Sequence, residues 1–400
     1  MDKRLQRNIW LLNLLRLLRS ALFVMPVIVL FFESRWLTMT EVFLLQSIFA
    51  WAVVLLEVPT WYLGDILTRK QWLIIWAVCK LLGWILYRYA PWFWLLAWAE
   101  IVLAIWFTFV SGTDIAMLYD SLLASGKEDV SKKIQWYNSA AGNIGEWIAA
   151  FIGGRIAAYS LDRPIALQII LSLLALILTL FLVEPPREKY QITETWPRQL
   201  LWLVRYALFT HSKISALIIA SATIWLSTMF WVWIAQPYRS QVNIPLARFG
   251  MLRGIGNLSV GVFSLLAHRL ETYISKENIL IYLLPVSIFG YLLLWSVMAR
   301  RIIPCMFFFY AVRGIKSVVL QDMLNKLISS KERATILSVD SLTFRALFMI
   351  FWPLAGLAID NFGIANGLLS IASLLTVLRL TSLFFLRKSG LTGISHDLTR

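Results

Sequence analysis

Residues 57–70 read Glu57-Val-Pro-Thr-Trp-Tyr-Leu-Gly-Asp-Ile-Leu-Thr-Arg-Lys70. An apolar run carrying a lone Glu57 and a Pro59 breaks at Gly64-Asp65, turns basic at Arg69-Lys70, and becomes apolar again from Trp72. This is a tight, charged turn between two long hydrophobic segments, and the rest of the chain repeats the alternation.

Composition sets the class. Of the 400 residues, 60% are apolar and 15% charged, against roughly 25% charged in an average soluble domain. Mean hydropathy is +0.73. Apolar stretches recur at about the 20-residue length that crosses a bilayer as a helix, and a helix satisfies its own backbone polar groups in lipid. The expectation is an all-α membrane protein with twelve transmembrane helices, near 9–32, 40–63, 72–90, 92–119, 134–158, 164–183, 213–236, 246–268, 277–298, 302–325, 333–359 and 365–386. Two of them contain charges that weaken the reading as spans: the first, with Arg16 and Arg19, and the fifth, with Glu146 and Arg155. No small-residue cleavage site follows the first apolar run, so it reads as a retained helix.

A net charge of +15 raises nucleic acid as a partner, but the distribution argues for a lipid bilayer. One set of connections holds Arg69-Lys70, Lys127, Lys132, Lys133, the basic residues of 187–213, Arg269, Lys276, Lys326, Lys331 and Arg333. The other holds mainly Arg35, Arg163, Arg239 and Arg300-Arg301. The first set is richer by roughly two to one, which places it, and both termini, on the cytoplasmic side of the cell (inner) membrane. Cys79 and Cys305 both lie within spans and read as small apolar residues. His211, His268 and His396 show no metal-ligand spacing, and no phosphate-binding glycine loop occurs. No cofactor, no metal and no nucleic-acid partner are expected, and no clustered catalytic groups point to an enzyme. The longest polar connection, 184–212, lies mid-chain. It divides the sequence into halves 1–183 and 213–400 of six spans each.

A weak internal repeat supports the division. Superposing Gly112 on Gly314 gives an offset of 202 residues, which also brings Asp120 onto Asp322, Asn138 onto Asp340, Ser139 onto Ser341, and Asp114 onto Lys316. Duplicated halves are common in transporters.

The 57–70 segment resembles the signature between the second and third helices of the major facilitator superfamily, roughly G-x-x-x-D-x-x-x-R-[KR]. Here it reads Gly64, Asp65, Arg69 and Lys70, with Gly and Asp adjacent. Glu57-Val-Pro-Thr60, followed by Trp61 where a Gly is usual, and Ser111-Gly-Thr-Asp-x-Ala-x-x-Tyr-Asp120 resemble a bacterial drug- and metabolite-efflux-like branch. The resemblance implies a pseudo-symmetric twelve-helix fold and secondary transport by alternating access. It also implies a cytoplasmic gate, with Asp65 facing the N-terminus of the eleventh helix near Ser330 and Arg333, and Arg69 paired to Asp120. The bland alternative is a turn whose charges merely hold the loop inside.

Small residues at Ala141, Gly145, Ala149 and Gly153 form a ridge on the fifth span, and Gly250, Gly254, Gly256 and Gly261 do so on the eighth. Such residues let helices approach closely in lipid, and in the superfamily these two helices meet. Charges inside spans are the site candidates, because they are costly in lipid: Glu57, Lys80, Glu100, Asp114, Glu146, Arg253, Arg313, Lys316, Asp340, Arg345 and Arg379. The superfamily's cavity-lining spans single out Arg16, Arg19, Glu100, Asp114, Arg313 and Lys316. Asp114 and Lys316, at matching repeat positions, are an ion pair broken by substrate or proton, or else belong to static structural pairing. Without an intramembrane His, a proton carrier must be a carboxylate: Asp114, Glu57, Glu146 or Asp340. Trp225, Trp231 and Trp233 of the seventh span are either cavity wall or lipid-facing. The expected protein is a monomeric, proton-coupled exporter of a small amphipathic organic compound. The alternatives are an importer of a sugar, organic acid or other metabolite working as symporter or uniporter, and a non-transporting membrane sensor.

Overall fold

The computed structural model describes residues 3–109, 112–126, 130–186, 205, 211–328 and 333–391, excepting the side chains of 3, 57–66, 132 and 333–335. All the long elements among them are helices: α1 (Lys3–Ser20), α2 (Ile28–Ser34), α3 (Met39–Ile66), α4 (Arg69–Tyr89), α5 (Phe93–Phe109), α6 (Thr113–Leu123), α7 (Ser131–Ala157), α8 (Asp162–Leu180), α9 (Ser212–Gln241), α10 (Phe249–Leu270), α11 (Lys276–Ser296), α12 (Met306–Leu327) and α13 (Arg333–Lys388). They account for twelve spans. α1 with α2 is the first and α5 with α6 the fourth. α13 is the eleventh and twelfth, turned at Gly363, where φ is 77° and only glycine is unstrained.

Nine stretches of the described residues are long and apolar enough to cross a membrane, one of them covering both halves of α13. α1, with Arg16 and Arg19, and α7, with Glu146 and Arg155, are not among them.

Two spans expected to be continuous are broken. The first unwinds over residues 21–27. There a freed backbone group, the Phe23 N–H, donates at 3.0 Å to Oε1 of Gln168, a fully buried side chain of α8. The fourth breaks before α6, whose N-cap Gly112 sits at φ 87°. Broken helices survive in a membrane bundle when neighbouring side chains take up the freed groups in this way.

The chain forms two compact units. Unit 1 comprises Met1–Leu37, Leu44–Thr193 and Ile244–Gly254; unit 2 comprises Thr38–Phe43, Glu194–Asn243 and Ile255–Arg400. Compared with a simple division at mid-chain, each unit takes in one short segment from the far half. The physical causes are visible. The first turn of α3 joins unit 2 because Asp360 accepts from Met39 N at 2.9 Å and Thr40 N at 2.8 Å, an anion on a helix N-terminus. The start of α10 joins unit 1 because Gly250 lies directly against Ala150 and Gly154 of α7, with no room for a Cβ.

In unit 1, α4 packs among α5, α6 and α8, and α1 against α6, α7 and α8. Trp72, Trp76, Leu118 and Leu122 lie in its core. In unit 2, α9 packs on α12 and α13, and α11 on α12 and α13, with Trp352 stacked between Phe230 and Phe348.

Candidate functional sites

In unit 1 the charges gather where one broken helix ends and another begins. Arg19 lies in the last turn of α1, and Asp114 in the first turn of α6, each at the helix end whose dipole favours its sign. Arg19 Nη1 donates to Asp114 Oδ2 at 2.8 Å and Arg16 Nη1 to the same oxygen at 3.4 Å. Asp114 is buried, while the arginines keep partial exposure. Lys80 of α4, wholly buried, donates to Leu18 O at 2.9 Å and lies between the rings of Trp76 and Trp106. It thereby takes up a carbonyl at the C-terminal end of α1, which the break leaves without a helical partner.

Glu100 of α5 stands apart. It is buried, and Oε1 accepts from Gln46 Nε2 at 2.5 Å and from the Tyr87 hydroxyl. Both donors are neutral, and among the described residues no cation lies within ion-pair distance of it.

At the end of unit 1 carrying the 57–70 turn, Arg69 Nη2 lies 2.8 Å from Asp120 Oδ2. The N-terminus of α4 is fully capped. Thr68 and Gln71 form a reciprocal capping box, and Glu184 accepts from the backbone N–H of Arg69 at 2.9 Å and of Lys70 at 2.7 Å. The Lys70 ammonium donates to Leu180 O at 2.9 Å. Unit 2 holds the repeat-related arrangement: Lys276, first residue of α11, pairs with Asp322 of α12, which also takes Lys326 at 3.0 Å. Asp120 and Asp322 are matched by the sequence repeat. Their cationic partners are not, because Arg69 and Lys276 are separated by 207 residues rather than 202, and a rigid offset slides past them.

In unit 2, Lys316 of α12 is buried, with Nζ 4.5 Å from the centroid of Trp225 of α9; the Arg313 guanidinium lies 5.3 Å from the same ring. Asp340 of α13 is within Coulombic reach of Lys316. Trp225 also touches Phe344, but Trp231 and Trp233 are buried packing residues, Trp231 stacked on Phe309. The three tryptophans therefore do not form one wall.

The remaining candidates separate clearly. Glu146 is solvent- or lipid-exposed on α7. The side chains of Glu57, Gly64, Asp65 and Arg333 lie outside those described, although α3 runs helically through 57–66. The glycine ridge of α7 has a different partner from the one its family resemblance implies. Gly145 abuts Leu17 O of α1, and Gly153 abuts Phe23 O; the neighbouring face, Ala150 and Gly154, meets Gly250 of α10. Gly254 accommodates Trp147.

The twelve helical spans adopt the fold seen in solved major facilitator transporters. Solved structures similar to it include the nucleoside transporter NupG, at 15% identity and TM-score 0.79, covering 95% of this chain and 99% of that one. A bacterial homolog of the human lysosomal transporter Spinster, inward-facing and occupied, aligns at 14% identity and TM-score 0.68 over 98% of each chain. The peptide transporter POT in complex with sulfate aligns at 12% identity and TM-score 0.72, covering 98% of this chain and 95% of that one. Neither family models nor curated proteins match the sequence.

Proposed function

We propose that the chain is a secondary transporter working by alternating access, a multi-pass protein of the cell (inner) membrane with both termini cytoplasmic, and that it exports a small amphipathic organic compound in exchange for protons. The observation that carries this is the Arg16–Asp114–Arg19 cluster, set where α1 ends and α6 begins. Charges at the ends of discontinuous membrane helices pair with one another and mark solute or ion pathways in transporters. The junction between α3 and α4, with Arg69 on Asp120, serves as the latch of the cytoplasmic gate, and Gly64, Asp65, Lys70 and Arg333 are its further members.

For the proton, Glu100 is the best-supported carrier. Asp114 is clamped by two arginines, and changing its charge breaks both contacts. Glu100 is held by neutral donors only, so its charge can change without breaking an ion pair. The metabolite-importer reading is favoured by one observation, the likeness to a nucleoside transporter at TM-score 0.79.

The test is flux of a chemically mixed solute panel in proteoliposomes with an imposed pH gradient. Export by proton exchange predicts uptake into acid-loaded vesicles that Glu100→Gln abolishes. Uptake driven by outside acid supports the importer instead. Flux of no solute, with or without a gradient, overturns transport itself.

A further inference from the structure

Unit 1 contains a cavity of about 930 Å³ between the first turns of α1 and the start of α7, lined by Gln6, Arg7, Ile9, Trp10, Asn13, Val130, Lys133, Ile134 and Tyr137. Nothing in the transport reading uses it. Its volume falls in the range of roughly 300–1,000 Å³ that holds small organic ligands. Among the described residues the lining has two cations and no acidic residue. Neither cation is neutralised by a described carboxylate: the Arg7 guanidinium donates to the Phe181 carbonyl at 3.0 Å, and Lys133 Nζ lies 5.9 Å from the Tyr137 ring centroid.

The rest of the wall is apolar or aromatic. Trp10 leaves 79% of its surface uncovered and Tyr137 48%. Asn13, the remaining polar lining residue beside Gln6, accepts from Asn138 Nδ2 at 3.0 Å. Two cations with no carboxylate partner among the described residues, beside large uncovered aromatic faces, match one chemistry. A cation pair recognises a carboxylate, sulfonate or phosphate by charge-assisted hydrogen bonds, and the aromatic faces cover an apolar body.

We propose that this cavity binds an amphipathic anion, with its acidic group between Arg7 and Lys133 and its apolar body against Trp10, Ile9 and Ile134. Membrane lipid and free solute both supply that chemistry, because the helix ends forming the cavity are where a bundle meets the headgroup layer. The inference does not rest on transport, and its test reads binding without flux.

The full chain is reconstituted in nanodiscs of zwitterionic phosphatidylcholine and titrated with a dansyl-labelled fatty acid and with its uncharged amide. Energy transfer from tryptophan reports binding. The acid is expected to bind roughly tenfold more tightly than the amide, as one charge-assisted contact implies. Lys133→Gln and Arg7→Gln together should remove that preference while leaving the melting temperature unchanged, and Trp10→Ala should weaken both probes alike. Equal affinity for acid and amide overturns the proposal, as does a preference that survives the double substitution. Should the double variant fail to fold, Lys133→Gln alone, at an exposed side chain with no described hydrogen bond, gives the same comparison. Added phosphatidylglycerol that displaces the acid assigns the site to a lipid headgroup. Phosphatidylglycerol that leaves the acid bound assigns it to a free solute, and either result supports the anion site.

Discussion

Asp114→Asn removes the charge from the unit 1 cluster and keeps its shape. Its Oδ2 stands 2.8 Å from Arg19 and 3.4 Å from Arg16. At an effective dielectric of about 20, those separations correspond to roughly 6 and 5 kcal/mol of gross attraction, most of it offset by taking the groups out of water. Breaking a buried pair by removing one partner costs about 3–5 kcal/mol. The arginine side chains retain 20% and 23% exposure, so water screens part of what is lost, and the expected cost is about 3 kcal/mol. The closer arginine should matter more. Arg19→Gln should cost about 2 kcal/mol and Arg16→Gln about 1 kcal/mol, with a double-mutant coupling near 2 kcal/mol for Asp114 with Arg19 and about half that with Arg16. Unfolding in mixed micelles, followed by the fluorescence of the 20 tryptophans, measures these differences. Asp114→Asn within about 0.5 kcal/mol of the parent, or an additive Asp114/Arg19 cycle, would refute the assignment of this carboxylate to these partners.

Other substitutions follow from the same geometry. Glu100→Gln should change stability by no more than about 1 kcal/mol, since an amide still accepts from Tyr87 or Gln46; Glu100→Leu should cost about 2–3 kcal/mol by leaving both donors buried without an acceptor, and similar unfolding curves for the two would count against this. Gly145→Ala places a methyl 2.5 Å from the Leu17 carbonyl and should cost about 1–3 kcal/mol. Gly261→Ala, with nothing within 4 Å of its added methyl, should stabilise α10 by about 0.5–1 kcal/mol; thermal melts of the pair in detergent should move in opposite directions. Arg69→Gln should destabilise by about 1–2 kcal/mol, because Asp120 is mostly covered, whereas Lys326→Gln, two-thirds exposed, should stay within about 0.5 kcal/mol in the same titration.

Span count and span ends were legible because bilayer thickness imposes one length on every helix and polar turns separate them. The breaks were not. Residues 21–27 are apolar, with Pro26 as their one local helix-breaking signal, and the groups that take up the freed backbone are distant: Gln168 at Phe23, and Lys80 at Leu18. The same holds for the caps. Glu184 and Asp360 each neutralise a helix start, α4 and α3 respectively, and neither is marked by local pattern, since a carboxylate beside a span end is what an ordinary loop also shows. Glu100 was visible as a charge within a span, but its neutral hydrogen-bond partners come from α3 and α4, and only packing brings them together.

The two halves of the repeat use their matched positions differently. Where they agree in charge, at Asp120 and Asp322, each carboxylate holds a cation on the first residue of the preceding span in its own unit, Arg69 of α4 and Lys276 of α11. That arrangement fixes helix starts and is needed twice in a duplicated bundle. Where the halves differ in sign, at Asp114 and Lys316, each residue has companions of its own: Arg16 and Arg19 around Asp114, and Arg313 and Asp340 around Lys316, with Trp225 beside both cations of unit 2. Among these named residues each cluster sets two cations against one carboxylate. A substitution in either cluster therefore leaves the shared ion pairs of the helix starts, Arg69 with Asp120 and Lys276 with Asp322, in place.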